Sequence, residues 1–213
     1  MNMTSNHPEI ATRGSIESWL NAAFETLKES GVDAVRVLPL AKKLNLARTS
    51  FYWYFEDREA LLAALIEQWK NKNTHNLVSH AQAYAGSITE AILNVFDCWL
   101  NTELFDSQCE FAMRSWALQS EQVAEEIKQA DSLRMAALKE MFDRFGFSED
   151  AAATRARSIY LTQIGYISMK TVEPLEYRMR FIPEYLHIFT GEEPAAHELE
   201  RFYQRNDYVP PPA

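Results

Sequence analysis

Leu40-Ala41-Lys42-Lys43-Leu44-Asn45-Leu46-Ala47-Arg48-Thr49-Ser50-Phe51-Tyr52-Trp53-Tyr54-Phe55, continuing into Glu56-Asp57-Arg58-Glu59-Ala60-Leu61-Leu62, reads as two short helices around a tight turn at Leu44-Asn45-Leu46, with a third helix opening near Asp57. Leu40, Ala41 and Leu44 share one apolar face at helical spacing. Asn45 is the non-glycine residue best suited to a positive-φ corner. Phe51 and Phe55, four apart, fall on one side of the second helix. Arg48, Thr49, Ser50, Tyr52 and Trp53 are left to point elsewhere. A buried pair beside a set of donors and aromatics suits a helix that enters the major groove of DNA. Aromatic residues at this spacing also serve ordinary helical cores, so the pattern by itself leaves both readings open.

Charge favours the first. The chain of 213 residues carries a net charge of −9, which argues against a nucleic-acid partner if taken as a whole. Residues 1–72 hold nine Lys/Arg and nine Asp/Glu; residues 73–213 hold twelve against twenty-one, so 12 − 21 = −9 belongs entirely to the second part. Between 36 and 54, Arg36, Lys42, Lys43 and Arg48 stand without any acid. Phosphate contacts need only a local basic patch, and the surrounding acidity makes such binding salt-sensitive.

Outward from that stretch the chain reads as all-α. Ile16, Trp19, Leu20, Ala23, Phe24 and Leu27 predict a first helix over about 14–30, weakly capped by Ser15 and stopped at Gly31. Pro39 is tolerable only in the first turn of the second helix. A fourth helix is expected from Asp57 to about Thr74 and a fifth from Ser87. Others follow near Cys109–Gln119, Glu121–Phe145, Ser148–Lys170 and Leu175–Phe189, the last kinked or split by Pro183. That makes about nine helices, with a short further possibility at Ala195–Tyr203. Residues 1–12 read as a disordered arm, 13–56 as a three-helix helix-turn-helix unit, 57–191 as a larger helical body and 192–213 as a C-terminal tail.

Composition limits the remaining classes. With 47% hydrophobic residues the chain can bury a core. No apolar run is long enough to span a membrane and no signal-peptide pattern opens the sequence, so no membrane partner and a cytoplasmic location are expected. Cys98 and Cys109, eleven apart in apolar patterns, read as buried free thiols. The five histidines form no metal-ligand spacing, and neither a metal site nor a cofactor is expected. There is no nucleophile–base motif, carboxylate pair or phosphate loop, so no catalytic residue is assigned and no enzymatic activity is expected.

The stretch from about Val35 to Leu65 resembles the TetR family of bacterial repressors. Phe51-Tyr52-Trp53-Tyr54-Phe55 followed by Asp57-Arg58-Glu59-Ala60-Leu61-Leu62 is similar to that family's aromatic block and the helix start after it. The chain departs from the pattern at Asn45, where Gly is common, at Ala47, where Ser or Thr is common, and at Val37, where a capping Thr often stands. Ala47 lacks the side-chain cap whose loss costs about 1 kcal/mol. A weaker likeness lies in Phe111-Ala112-Met113-Arg114-Ser115-Trp116-Ala117 and Asp131-Ser132-Leu133-Arg134.

The resemblance implies a homodimeric repressor that leaves a palindromic operator on double-stranded DNA when an effector of unknown identity binds. Carried over by position, Arg48 and Thr49 read bases, with Arg48 able to pair a guanine bidentately. Ser50 and Tyr52 offer hydroxyls to phosphates or, for Tyr52, contact with a thymine methyl, Trp53 presses on the backbone, and Arg58 and Arg36 meet phosphates. Tyr54 stands equally as a phosphate contact or as core. An effector pocket is expected among Phe96, Trp99, Phe111, Arg114, Trp116, Gln163 and Tyr166, although Arg114 is also placed to pair with Glu110, four residues back. The dimer interface of such proteins uses their last two long helices, which here points to Ala152, Ala156, Ile159, Tyr160, Gly165, Ile182 and Leu186. Two other functions remain in play at this stage: an all-α carrier or enzyme with a non-functional DNA module, and a helical adaptor working through protein contacts.

Overall fold

The computed structural model describes residues 14–211, which are all-helical; the arm expected at 1–12 lies outside the described residues. Helix α1 (Ile16–Ser30) starts with a reciprocal cap. The Ser18 amide donates to the Ser15 hydroxyl at 3.1 Å and the Ser15 amide to the Ser18 hydroxyl at 2.9 Å. Gly31 ends the helix at φ 77, a conformation that costs a residue without Cβ least. A 3₁₀ turn at Val32–Ala34 leads to α2 (Val37–Lys43), and Asn45 makes the corner at φ 54 before α3 (Arg48–Phe51).

Regular helix in α3 stops at Phe51, sooner than expected. The amides of Tyr54 and Phe55 both return to the Phe51 carbonyl, at 3.0 and 3.1 Å, so the chain tightens into a turn. Packing accounts for it. Phe51 and Phe55 enter the same core with rings stacked at 5.3 Å, and Trp19 meets Phe51 edge-on at 5.3 Å.

Asp57 caps α4 (Arg58–Trp69) by accepting from the Ala60 amide at 2.8 Å. The chain then passes through a π-helical segment, Lys70–His75, into α5 (Asn76–Gln82) without leaving helical backbone. Residues 58–82 therefore form one rod, longer than the sequence suggests. The wider turn rotates Asn73 and Thr74 into the interior, and π-turns of this kind recur at functional positions.

Helices α6 (Ile88–Leu100), α7 (Ser107–Ala117) and α8 (Glu121–Arg144) each begin on a side-chain cap, from Ser87, Asp106 and Ser120 in turn. Helices α9 (Glu149–Ser168) and α10 (Leu175–Thr190) complete the body, and α10 runs through Pro183 unsplit. Against the nine expected, the described residues hold eleven α-helices, because the rod counts as α4 and α5 and the short further possibility near the C-terminus forms as α11 (Ala196–Arg205). It is no free tail: Phe202 is fully buried, the Glu198 carboxylate accepts from Thr89 at 2.7 Å and from the Ala195 amide at 3.0 Å, and Arg205 pairs with Asp97 on α6 at 2.7 Å.

Two cores result. One fills the body between α5, α6, α8, α9, α10 and α11. The other gathers Trp19, Leu27, Leu40, Phe51, Phe55 and Leu65 but continues into Met113 and Trp116 of α7 and Val123 and Ile127 of α8. The helix-turn-helix unit therefore shares its core with the body, and no break falls at residue 56.

Candidate functional site

The outer surface of α2, α3 and the turn after them collects the basic patch. Arg36, Lys42, Lys43, Arg48 and Thr49 are exposed, Tyr52 is 49% exposed and Trp53 67%. The Arg48 guanidinium donates to the Tyr52 hydroxyl at 3.1 Å and lies 5.9 Å from its ring centroid, which holds the cation upright beside an aromatic plate. Arg48, Thr49, Tyr52 and Trp53 thus come together on one solvent face.

Three of the expected DNA contacts do not lie there. Ser50 is buried and its hydroxyl donates to the Ala47 carbonyl at 2.7 Å, so it occupies the inner side of α3, whose first-turn amides have no side-chain cap. Tyr54 resolves in favour of scaffold: half-buried, it donates its hydroxyl to the Gly14 carbonyl at 2.7 Å. Arg58 donates from Nε to the Val35 carbonyl at 2.7 Å and from Nη2 to the Val32 carbonyl at 2.8 Å. Its guanidinium is committed to fastening the 3₁₀ turn between α1 and α2. Arg36 stays exposed, with Nε donating to the Asp33 carbonyl at 2.7 Å.

In the body, a cleft opens between α6, α9 and α10 and encloses about 550 Å³ including its mouth. Phe96, Trp99, Gln163 and Tyr166 line it. Phe111, Arg114 and Trp116 do not. Lys170 lies over the Phe111 ring at 4.1 Å, Trp116 belongs to the core shared with the helix-turn-helix unit, and Arg114 is held in an ion network. Sequence reasoning missed the far wall, Phe181, Tyr185 and Phe189 of α10. Their i, i+4, i+8 spacing was the available signal.

The ion network stands between cleft and linking rod. Glu110 and Arg134, both fully buried, form a two-pronged pair, Nη1 to Oε1 at 2.8 Å and Nη2 to Oε2 at 3.1 Å. Glu110 also accepts from Trp69 Nε1 at 2.7 Å and Asn73 Nδ2 at 3.0 Å on the rod, and Arg134 Nε donates to Thr74 Oγ1 at 3.0 Å. Arg114 joins Glu110, four residues back, to Asp131, and the Tyr160 hydroxyl on α9 donates to Asp131 at 2.6 Å while accepting from Arg134 at 3.1 Å. Burial alone would raise the Glu110 carboxyl, but the charges of Arg134 and Arg114 and the bonds donated to it hold it down at about 2. Two guanidinium and two carboxylate groups cancel, as deeply buried charges must. The paired stretches around Arg114 and Arg134 were visible in the sequence, but nothing there said that they meet.

The interface residues expected on α9 and α10 are mostly interior. Ala152, Ala156, Ile159, Tyr160, Ile182 and Leu186 are all buried within the single chain, because this stripe packs against the other helices of its own body. Ile159 and Ile182 in addition border the cleft. Gly165 alone of the set reaches the outer side, where a Cβ built on it would meet nothing within 4 Å. Leu161 and Ile188, 54% and 65% exposed, stand on those outer faces. Among the described residues no group of three or more acids, histidines or cysteines is gathered to hold a metal, and no helix is long and apolar enough to cross a membrane.

Fold and surface together define a helix-turn-helix module with a basic and aromatic outer face, carried on a large helical body. A profile of the bacterial regulatory proteins of the tetR family matches residues 20–65, the segment from α1 into α4. It is 38% identical over 66 residues to the uncharacterized HTH-type transcriptional regulator YvdT of Bacillus subtilis, and 41% identical over 49 residues to the class D tetracycline repressor of Escherichia coli. These matches cover 31% and 23% of this chain, and 32% and 22% of those proteins' lengths. Over nearly the whole chain the fold is that of AmtR from Mycobacterium smegmatis, with a TM-score of 0.65 at 15% identity, covering 96% of this chain and 100% of that one. GusR of Salmonella enterica superposes with a TM-score of 0.61 at 15% identity over 88% of this chain and 98% of its own.

Proposed function

We propose that the protein is a homodimeric transcriptional repressor that leaves a palindromic operator when a small molecule enters the cleft between α6, α9 and α10. The observation that carries this reading is the solvent-facing set Arg48, Thr49, Tyr52 and Trp53 within a stretch, residues 36–54, whose own sequence holds no acid. Arg48 and Thr49 would meet base edges, with Tyr52, Trp53, Arg36 and Lys42 set against the backbone. Two copies joined through the outer faces of α9 and α10, around Leu161, Gly165 and Ile188, would place their reading helices roughly 34–36 Å apart, one turn of DNA.

Coupling follows from the ion network. Ile159 and Gln163 line the cleft on either side of Tyr160, whose hydroxyl enters the network that grips Trp69, Asn73 and Thr74 of the rod. A ligand that shifts α9 would bias the rod between two settings and alter the spacing of the reading helices, provided it binds one setting more tightly. Selection of genomic fragments on the purified protein tests the reading: a shared palindrome is expected, and retention of fragments without sequence preference would sink it.

A further inference from the structure

We propose that the cleft takes a monocarboxylate on an apolar, ring-sized body, its carboxylate bonded by Gln163 and drawn by Arg178, an inference that rests on the effector reading of the same cleft. Helices α9 and α10 run antiparallel along the cleft. Arg155 Nη1 donates to the Phe189 carbonyl at 2.6 Å, and further along α9 the Tyr166 hydroxyl meets that of Tyr185, earlier on α10. Ile159 and Phe189 therefore lie towards one end, and Gln163, Tyr166 and Arg178 towards the connection between the two helices. Phe96 and Trp99 of α6 add their rings to the lining. A ligand with an apolar body and a polar head matches that division.

The polar groups are short of acceptors. Gln163 is only 6% exposed, yet its amide makes no hydrogen bond among the described residues. Buried amides are nearly always paired, and this one, unlike the sealed Trp99 nitrogen, is not closed off from the cleft it lines. The Tyr166 and Tyr185 hydroxyls bond to each other at 2.8 Å, which uses one of their two protons. Whichever hydroxyl accepts keeps an O–H with no acceptor among the described residues. The mutual bond chiefly pushes Tyr166 up to about 12, so it stays protonated near neutral pH. Arg178, half-buried, forms no ion pair among the described residues, and its charge is felt at Tyr166. Glu173, also without an ion pair, is the single carboxylate along the lining and opposes Arg178 there. A carboxylate brings acceptors and no donors, so it suits an amide N–H, a spare hydroxyl and a guanidinium alike. Bonds to a charged group are about twice as strong as neutral ones, which offsets the hydration an anion loses on entry.

The test is calorimetric titration of the full chain with benzoate, benzamide, benzylamine and acetate. Benzoate should bind about tenfold more tightly than benzamide, which keeps the shape without the charge, and more tightly than acetate, which lacks the body. Arg178→Gln and Gln163→Leu should each weaken benzoate by about tenfold, and Glu173→Gln should strengthen it. Arg178 and Glu173 are only half-buried, so their variants decide the matter should Gln163→Leu unfold. Benzamide, benzylamine or acetate binding as tightly as benzoate, benzoate affinity unmoved in both of those variants, or no binding by any probe would overturn the proposal. Displacement from the selected DNA fragment is read in parallel. Benzoate that binds without releasing DNA leaves the ligand class standing and removes the effector role. Release by benzamide as potent as by benzoate does the reverse.

Discussion

At the scale of the residue, two arginines of the same module do opposite kinds of work. Arg48 projects from α3 beside Tyr52, and nothing in the fold depends on its guanidinium. Replacing it with Ala should leave the melting temperature within a degree or two and lower affinity for the selected operator by about 1–3 kcal/mol, with relaxed choice at one base pair; fluorescence anisotropy on matched and mismatched duplexes measures both. Arg58 is spent on the Val32 and Val35 carbonyls. Arg58→Ala should therefore destabilise the protein by about 1–3 kcal/mol in a urea titration while the salt dependence of DNA binding keeps its slope. A shallower slope with unchanged stability would restore Arg58 to the phosphates. Ser50 teaches a related lesson: a hydroxyl in a recognition sequence can serve the chain's own carbonyl, at Ala47.

At the scale of the element, the rod from Arg58 to Gln82 matters through its π-segment, which turns Asn73 and Thr74 onto Glu110 and Arg134. Glu110→Ala would leave the Arg134 guanidinium buried and short of its main partner, so a loss of about 3–5 kcal/mol is expected by chemical denaturation. The same group sets the acid limb of stability. Its folded carboxyl is held at about 2 against an ordinary 4.5, so protonation is harder in the folded chain than in the unfolded one. Its contribution is complete above about pH 4.5 and is lost as pH falls towards 2; unfolding curves between those limits should show the decline, and Glu110→Gln should flatten it.

At the scale of the molecule, the shared core and the outer faces of α9 and α10 decide how the parts act together. Trp116 and Ile127 of the body sit in one cluster with Trp19 and Phe51 of the reading module, so α7 and α8 are joined to the module by packed side chains. Gly165 offers an open spot on the outer side of α9. The Cβ that Gly165→Leu adds meets nothing within 4 Å in the single chain, and the change should improve its helix by about 1 kcal/mol. At the proposed dimer face it would force two helices apart, so sedimentation should show a folded monomer with weakened operator binding. A variant that remains dimeric would move the interface elsewhere.

The sequence by itself determined what is local. Caps at Ser15, Asp57 and Ser87, the stop at Gly31, the corner at Asn45 and the helical periodicity all act within a few residues, so the helices and the reading module could be read directly. Only the tertiary structure decided which apolar stripe meets which neighbour. Periodicity states that Ala152, Ala156 and Ile159 share a face, but the same stripe suits a second copy as well as the chain's own body, and packing chose the body. It also decided where polar reach is spent, because the partners of Arg58 and Arg114 lie at or beyond turns whose geometry no spacing rule reports: Val32 and Val35 for the first, Asp131 and Tyr160 for the second.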